Sequence, residues 1–239
     1  MAPSVCIFGD SVAKGIVFDT VKEKYLLLKN RFSNLIGARD GIRIKNYSHF
    51  GCTVKQGKTS IEKHLTELSH YDAVILEYGG NDCDLSWEQV AADPKGTHLP
   101  KTPLTEFSET YRQLISEIKE SGGTPVLMTL PPIYAPRYFS WISRNLDAQA
   151  IMNYLGDVEF IYRWHEMYNL AVCRIALEQH LSLIDISSAF LQKENYQDLL
   201  CADGIHPNEK GHQLIADEID QQLNMPNAHG FHSSQLAFA

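Results

Sequence analysis

Short apolar runs alternate with longer amphipathic segments along most of the chain. The runs lie at residues 5–8, 42–47, 73–78, 125–130 and 181–186. Their length and their bounding glycine, proline or polar residues are typical of strands. The second run, Ile-Arg-Ile-Lys-Asn-Tyr, alternates apolar and polar positions. We therefore predict five strands, of which the second lies nearer a sheet edge.

The segments between these runs carry apolar residues at helical spacing. Helices are predicted over residues 53–68, 105–121, 162–180 and 208–223. Parallel neighbouring strands need crossover connections, and helices usually supply them. The alternation therefore predicts an α/β protein, with a mainly five-stranded parallel sheet that carries helices on both faces.

The chain shows no internal repeat and no Pro/Gly/Ser-rich linker, so its 239 residues are predicted to form a single domain over 1–239. Residues 85–103 form a proline-containing insertion, and a peripheral tail is predicted from about residue 224. Long insertions beside a site often form lids or substrate walls. Residues 85–103 and 134–155 are the segments expected to decide how closely a substrate is covered.

Composition narrows the class of protein. Apolar residues make up 44% and charged residues 21% of the chain, as in ordinary globular proteins. The net charge, 21 − 29 = −8, disfavours a nucleic-acid partner. The sequence lacks an apolar stretch of about 18 residues and a signal-peptide pattern. Five irregularly spaced cysteines fit a reducing compartment. We predict a cytoplasmic protein without a membrane span, and the sequence carries no signal of its oligomeric state.

The chemically informative residues lie at opposite ends of the chain. Ser11 follows the first predicted strand in Gly-Asp-Ser, and Asp203 and His206 belong to Asp-Gly-Ile-His-Pro. A serine nucleophile needs a base to take its proton, and a carboxylate can orient that base. Ligands of open parallel sheets bind beyond the carboxyl ends of the strands. We therefore expect these three side chains to meet at one sheet edge as a catalytic triad.

Two further blocks follow the second and third strands. Gly51 ends Asn-Tyr-Ser-His-Phe-Gly, and Asn81 lies in Gly-Gly-Asn-Asp. Hydrogen-bond donors aimed at a developing oxyanion are a large source of rate enhancement. The N–H groups of Ser11 and Gly51 and the amide of Asn81 are the predicted oxyanion hole. Ser11 is expected to gain from a helix dipole, and Asp10 to brace the turn.

These blocks together resemble the SGNH hydrolases, also called the GDSL family, of serine esterases and acylhydrolases. The resemblance implies a flavodoxin-like three-layer α/β/α sandwich. It also implies that Ser11 is the nucleophile, that Gly51 and Asn81 are oxyanion donors, and that His206 is the base with Asp203. Two positions depart from the family pattern. Val12 replaces a leucine, and Ser48 stands where the second block often has glycine.

The expected function is serine-dependent hydrolysis of small-molecule carboxylic esters through an acyl-enzyme, without a cofactor. Short acyl groups, such as acetyl esters of carbohydrates, are the preferred prediction. The alternative is a lipid acylhydrolase of the lysophospholipase or thioesterase type. Several aromatic residues near predicted loops could line an acyl or sugar pocket. They are Trp87, Tyr134, Tyr138, Phe139, Trp141 and Trp164.

Three other classes of protein are less consistent with the sequence. A nucleotide-binding protein is disfavoured because residues 9–15 fit neither a Gly-x-Gly-x-x-Gly nor a Walker pattern; Lys14 in this run is expected on the surface. A zinc site could use Cys52, Cys83 and Cys201, but without Cys-x-x-Cys spacing packed thiols are the favoured interpretation, and no metal is predicted. His165 is expected to be a helix-face residue. A non-catalytic binding protein would be expected to lack Ser11, Asn81 or His206.

Overall fold

The computed structural model describes residues 2–223. The strands, numbered in chain order, are β1 Ser4–Gly9, β2 Ile16–Asp19, β3 Lys24–Leu27, β4 Arg43–Asn46, β5 Ala73–Glu77, β6 Pro125–Met128 and β7 Leu183–Ile184. The α-helices are α1 Ser11–Lys14, α2 Phe32–Asp40, α3 Val54–Glu62, α4 Trp87–Ala92, α5 Leu104–Glu120, α6 Ala135–Ser143, α7 Ala148–Leu155, α8 Phe160–Glu178, α9 Ile186–Leu191 and α10 Glu209–Leu223. The predicted tail from residue 224 lies outside the described residues.

Five of the strands form one parallel sheet in the order β4-β1-β5-β6-β7. Strand β1 lies between β4 and β5 and is buried along its whole length. Strand β4 is an edge strand with alternating exposure, as its sequence pattern predicted. The predicted five-stranded parallel sheet is therefore confirmed.

Side chains alternate between the two faces of the sheet, because successive residues of a strand point in opposite directions. Cys6 and Phe8 pack with α3, α5 and α8 on one face. Val5 and Ile7 pack with α2, α9 and α10 on the other. The molecule is thus the expected three-layer α/β/α sandwich.

Two predicted elements are shorter than their sequence patterns suggested. The helix predicted over 53–68 ends at Glu62 and is followed by a 3₁₀ helix, Leu65–His70, which buries Leu68 and brings the chain to β5. The last strand keeps only two of six predicted residues. Asp185 leaves the sheet because its side chain caps α9 by accepting from the Ser188 N–H.

Two parts of the fold were not predicted. Strands β2 and β3 form an antiparallel hairpin between β1 and α2. The helices α4, α6 and α7 form a third apolar cluster with the start of α8. The predicted insertion at 85–103 therefore contains a helix, and it packs against residues 135–155. No helix within residues 2–223 combines the length and apolarity needed to cross a membrane.

Candidate active site

Ser11 lies in a sharp turn at the carboxyl end of β1. The Asp10 carboxylate accepts from the Val12 N–H at 2.8 Å and caps the helix that Ser11 begins. Gly9 is required here, since a Cβ would lie 2.7 Å from the Glu77 carbonyl oxygen. Helix α1 has only four residues and ends at Gly15, which has φ 85°. The helix dipole that was expected to act on Ser11 is therefore limited to that of a single helical turn.

The three residues predicted to form a triad are in hydrogen-bond contact. His206 Nε2 lies 2.8 Å from Ser11 Oγ, and His206 Nδ1 lies 2.6 Å from Asp203 Oδ2. Asp203 Oδ1 also accepts from the N–H groups of Ile205 and His206, both at 3.1 Å. All three side chains are buried. The fold thus joins the first strand to the loop before the last helix, as the sequence predicted.

The charge state of Asp203 follows from opposing effects. Burial by itself would raise the pKa of this carboxyl. The hydrogen bond and charge of His206, with the two N–H donors of the loop, outweigh burial and hold the pKa below its ordinary value. Asp203 is therefore an anion across the neutral range and can hold the His206 ring in one tautomer.

The Asp203 loop is fixed to α6 by close backbone packing. Gly204 has φ 78°, and a Cβ there would lie 2.8 Å from the Tyr138 nitrogen and 2.9 Å from the Tyr134 oxygen. The Tyr134 N–H donates to the Gly204 carbonyl at 2.8 Å. Arg137 donates from Nη1 to the carbonyls of residues 197, 200 and 201. These contacts determine where His206 lies relative to Ser11.

The three predicted oxyanion donors border one cavity with Ser11 and His206. Gly51 is exposed and has φ 73°. The Asn81 amide donates from Nδ2 to Asp10 Oδ2 at 2.9 Å, which leaves a second hydrogen on that nitrogen. Within residues 2–223, the N–H groups of Ser11 and Gly51 have no hydrogen-bond acceptor. All three groups thus border the cavity with at least one hydrogen that no described residue accepts.

The cavity has a volume of about 410 Å³ and extends from Ser11 beneath α4, α6 and α7 to the start of α8. Its wall is mainly apolar away from Ser11. The apolar lining residues include Leu85, Leu130, Ile133, Ile142, Leu146, Leu155 and Ile161. Of the aromatic residues predicted to line a pocket, Trp87, Tyr138, Trp141 and Trp164 do so, and Tyr134 and Phe139 are not among the lining residues. The cavity can hold an apolar group next to the nucleophile.

His165 also lines this cavity and was missed as a site residue. It lies on α8 as expected, but it is buried rather than on an open helix face. Its Nδ1 atom has no hydrogen-bond partner among the described residues. Burial lowers the pKa of His165 to about 4, so the ring is neutral at pH 7. The cavity wall therefore contains an uncharged imidazole in addition to the polar or charged side chains of Asp84, Glu88, Arg144 and Asn145.

Several aromatic side chains pack beside the His206 ring. The rings of Tyr25 and Phe50 lie 5.2 Å and 6.1 Å from the His206 ring, measured between centroids. Trp141 packs against Tyr25, and the Arg144 guanidinium lies 3.9 Å from the centre of the Trp141 ring. Tyr25 comes from the β2–β3 hairpin, which the sequence pattern did not predict. The two short apolar runs flanking residues 20–23 were the available signal.

The remaining predicted groups have structural contacts. The thiols of Cys52 and Cys83 contact backbone oxygens, and the Cys201 sulfur accepts from the Phe18 N–H. Within residues 2–223, no three His, Cys, Asp or Glu side chains are grouped so that they could hold a metal ion. Lys14 is half-buried, donates to the Ser48 carbonyl at 3.3 Å and is not among the residues that line the cavity.

Comparison with known proteins indicates the family that the sequence motifs resemble. A family model described as GDSL-like Lipase/Acylhydrolase family matches residues 7–214. The GDSL esterase/lipase WDL1 of Oryza sativa subsp. japonica is 24% identical over 148 residues, or 61% of this chain and 51% of that protein. This chain thus spans about half the length of the curated relatives it matches.

Many solved structures are similar over nearly the whole fold, two of them as follows. One is a catalytic mutant of Axe2, an acetylxylan esterase from Geobacillus stearothermophilus, with a TM-score of 0.65, 20% identity and coverage of 98% of this chain and 99% of that chain. The other is a lipase/acylhydrolase from Enterococcus faecalis, with a TM-score of 0.63, 16% identity and coverage of 92% and 95%. The chain belongs to the GDSL-like lipase/acylhydrolase family.

Proposed function

We propose that this protein hydrolyses carboxylic esters through an acyl-enzyme on Ser11. The observation that carries the proposal is the hydrogen-bonded series Ser11 Oγ, His206 Nε2, His206 Nδ1 and Asp203 Oδ2, with distances of 2.8 Å and 2.6 Å at its two links. A nucleophile, a base and an orienting carboxylate in this order are the parts that acyl transfer needs. Membership of the family supports the same reaction class.

In the first half of the reaction, Ser11 Oγ attacks the ester carbonyl carbon while His206 Nε2 accepts the serine proton. The carbonyl oxygen becomes an oxyanion, and Asp203 stabilises the imidazolium that forms. As the tetrahedral intermediate collapses, the bond to the alcohol oxygen breaks and His206 returns the proton to that oxygen. The alcohol leaves, and Ser11 remains acylated.

In the second half, water replaces the alcohol. His206 Nε2 takes a proton from the water as the water oxygen attacks the acyl carbon, and a second oxyanion forms. Collapse breaks the bond to Ser11 Oγ, which regains its proton from His206, and the carboxylic acid leaves. The N–H groups of Ser11 and Gly51 and the second hydrogen of Asn81 Nδ2 are assigned to both oxyanions. Removal of one such donor typically costs about 10²–10³ in rate.

Short acyl groups, such as acetyl esters of carbohydrates, remain the preferred substrate class. Similarity to the fold of Axe2, an acetylxylan esterase, supports this class only by analogy. The aromatic faces of Phe50, Tyr25 and Trp141 beside His206 provide surfaces on which a sugar ring could pack. Phe50 is 52% exposed and is therefore accessible to such a ring.

One observation favours the alternative, a lipid or thioester acylhydrolase. The cavity beside Ser11 has a volume of about 410 Å³ and a mainly apolar wall, more than an acetyl group needs. Burial of an acyl chain there would contribute about 0.8 kcal/mol per methylene group. Under this alternative, kcat/KM should rise with acyl length, whereas an acetyl esterase should show its maximum at acetate.

The experiment that tests the proposal is hydrolysis of p-nitrophenyl esters from acetate to palmitate by the wild type and by Ser11→Ala. We expect wild-type turnover and loss of at least about 10³-fold in kcat in the variant. Acetylated xylooligosaccharides, assayed in parallel, would separate the two substrate classes. Turnover that survives Ser11→Ala would contradict the proposed nucleophile, and no turnover with any ester would contradict the proposed class.

A further inference from the structure

Two acidic side chains are buried together beneath the Ser11 turn, and the proposed mechanism uses neither of them. Asp10 is 2% exposed and Glu77, the last residue of β5, is fully buried. Buried carboxyl groups are rare unless they are paired or hydrogen-bonded. They lie between the proposed nucleophile Ser11 and the proposed oxyanion donor Asn81.

The hydrogen bonds of the pair connect β5 to both parts of the site. Glu77 Oε2 accepts from the Ala13 N–H at 3.1 Å and from the Asp10 N–H at 3.4 Å. Asp10 Oδ1 accepts from the Val12 N–H at 2.8 Å, and Asp10 Oδ2 accepts from Asn81 Nδ2 at 2.9 Å. Asp10 therefore holds the serine turn with one oxygen and the Asn81 amide with the other.

One carboxyl oxygen of the pair lacks a hydrogen-bond partner among the described residues. Glu77 Oε1 is buried and has no partner among the described residues when it is treated as an acceptor. A protonated Oε1 becomes a donor, and the Asp10 carboxylate, whose side chain is within hydrogen-bond reach of Glu77, can accept from it. The acid form of Glu77 thus gives a hydrogen bond to a buried atom that would otherwise have none, and a buried polar atom without a hydrogen bond is destabilising.

The groups around the pair also favour a single shared proton. Burial raises the pKa of the neighbouring thiols and phenols, which are therefore neutral at pH 8, and within residues 2–223 only His206 among the titratable groups acting on the pair is basic. These groups are Cys52, Tyr78, Asp82, Cys83, Tyr111 and His206. Burial and the neighbouring Asp10 raise the pKa of Glu77 well above its ordinary range. Burial also raises the pKa of Asp10, but hydrogen bonds from Val12 and Asn81 act in the opposite direction.

We propose that Glu77 is a positioning residue, whose protonated carboxyl donates to Asp10 so that the Asp10 carboxylate holds the Asn81 amide toward the oxyanion. Glu77, Asp10 and Asn81 then form a second series of hydrogen bonds, which supports the oxyanion while Asp203 and His206 support the nucleophile. This inference rests on the proposed function, because it assigns Glu77 an effect on the oxyanion of ester hydrolysis.

The kinetic test compares Glu77→Met with Glu77→Gln. Met fills the space without polar atoms, and we expect kcat to fall about ten-fold or more while KM changes less than about two-fold. The Gln amide can accept at its oxygen and donate at its nitrogen, as the acid does, so Glu77→Gln should keep kcat within about three-fold. Equal losses in the two variants, or full activity in Glu77→Met, would overturn the proposal.

Ile75→Val is the matched control. Ile75 lies on the same face of β5 two residues earlier and makes no side-chain hydrogen bond. The substitution should slightly lower the urea concentration at the midpoint of unfolding and leave kcat unchanged. A loss of kcat in this control comparable to that in Glu77→Met would mean that general loosening of β5, rather than the hydrogen bonds of Glu77, accounts for the effect.

A double-mutant cycle tests whether Glu77 acts through Asn81. Asn81→Ala removes the donor that Glu77 is proposed to position, so Glu77→Met added to Asn81→Ala should cost little further activity. Residues in one network are non-additive in this way. Additive losses in kcat would contradict action through Asn81.

The protonation state can be measured without turnover. Infrared spectra of the folded wild type at pH 8 should contain the carbonyl band of a protonated carboxylic acid that is missing from Glu77→Gln. A difference spectrum with only an ionised carboxylate band would overturn the proposal. Because this readout is independent of activity, failure of the esterase assignment and failure of the Glu77 assignment can be told apart.

Discussion

Adding a single methyl group at Gly204 should misplace His206. Ala at this position would carry both the strain of φ 78° and a collision with the backbone of residues 134 and 138. We expect Gly204→Ala to lower kcat/KM by about 10² or more, since small misplacements of catalytic groups have effects of this size. Circular dichroism and ester kinetics on the same preparation would measure fold and activity together.

Gly41→Ala separates strain from collision. Gly41 has φ 66°, but a Cβ there would have no neighbour within 4 Å. This variant should lose about 1–2 kcal/mol of stability through left-handed backbone strain and keep its activity. Similar activity losses in the two glycine variants would contradict the account of the Asp203 loop.

Asp203→Asn tests the orienting carboxylate. The amide can no longer stabilise a cationic His206, and we expect kcat to fall by about 10⁴ with little change in KM. Because the pKa of Asp203 lies below its ordinary value, Asp203 stays ionised as the pH falls from 8 to 5. Wild-type kcat/KM should therefore show no loss caused by protonation of Asp203 over that range. A loss of activity that follows protonation of Asp203 above pH 5 would contradict the assigned charge state of this carboxyl.

Some individual residues could be identified from the sequence and others could not. Ser11 directly follows β1, Asp203 and His206 lie in the loop before α10, and the hydrogen bonds between the three side chains agree with the prediction. Glu77 looked like one polar position in an apolar strand. Its burial under Ser11 depends on which face of β5 it occupies, and the near-continuous apolar run gave no periodicity from which to choose the face.

Among the elements, the β2–β3 hairpin shows why short strands are hard to predict. Each strand has four residues, and the turn between them contains no glycine or asparagine. Glu23 takes the left-handed conformation instead, with φ 49°. Hairpin patterns are usually recognised from turn residues that favour positive φ. The structure brings Tyr25 to His206 through an element whose turn lacks that signal.

The helices α4, α6 and α7 are expected to set acyl-chain selectivity. Ile142, on α6, is half-buried and lines the cavity. If the cavity holds the acyl group, Ile142→Trp should lower kcat/KM for decanoate relative to acetate by about ten-fold, because a larger side chain shortens the apolar space. Ser140→Trp is the control, since Ser140 is exposed on the same helix and is not among the lining residues. An unchanged ratio in Ile142→Trp would place the acyl group elsewhere.

Across the whole molecule, periodicity identified the sheet and its large helices because these elements bury continuous apolar faces. The boundaries were less accurate where capping decided them, as at Asp185. The third apolar cluster was not predicted as helical because residues 85–103 contain prolines and scattered polar positions. Its helices are short and gain their stability from packing on one another. Sequence patterns therefore predicted the scaffold better than the cavity wall.

Acid stability is a property of the whole fold to which buried histidines contribute. His212 is fully buried, stacks on Phe32 with ring centres 6.0 Å apart, and has no hydrogen-bond partner at either ring nitrogen among the described residues. Burial, with smaller effects of His206 and Arg31, lowers its pKa to about 3. The unfolded chain binds this proton near pH 6.5, so stability falls as the pH drops below about 6.5.

His212→Phe removes that titration while keeping an aromatic ring beside Phe32. Between pH 8 and pH 5, the wild type should lose about 2 kcal/mol more unfolding free energy than the variant. Urea unfolding at both pH values measures the difference. Parallel pH dependences of the two proteins would show that His212 is not held neutral by the fold.

His206 and Asp203 are proposed to make Ser11 a nucleophile. Labelling with a fluorophosphonate followed by peptide mass spectrometry tests it most directly, because the phosphorus centre reacts with an activated serine and the adduct is not readily hydrolysed. We expect one adduct per chain, located on Ser11, absent from Ser11→Ala and strongly slowed in His206→Ala. No adduct in the folded wild type, or an adduct on another residue, would contradict the account.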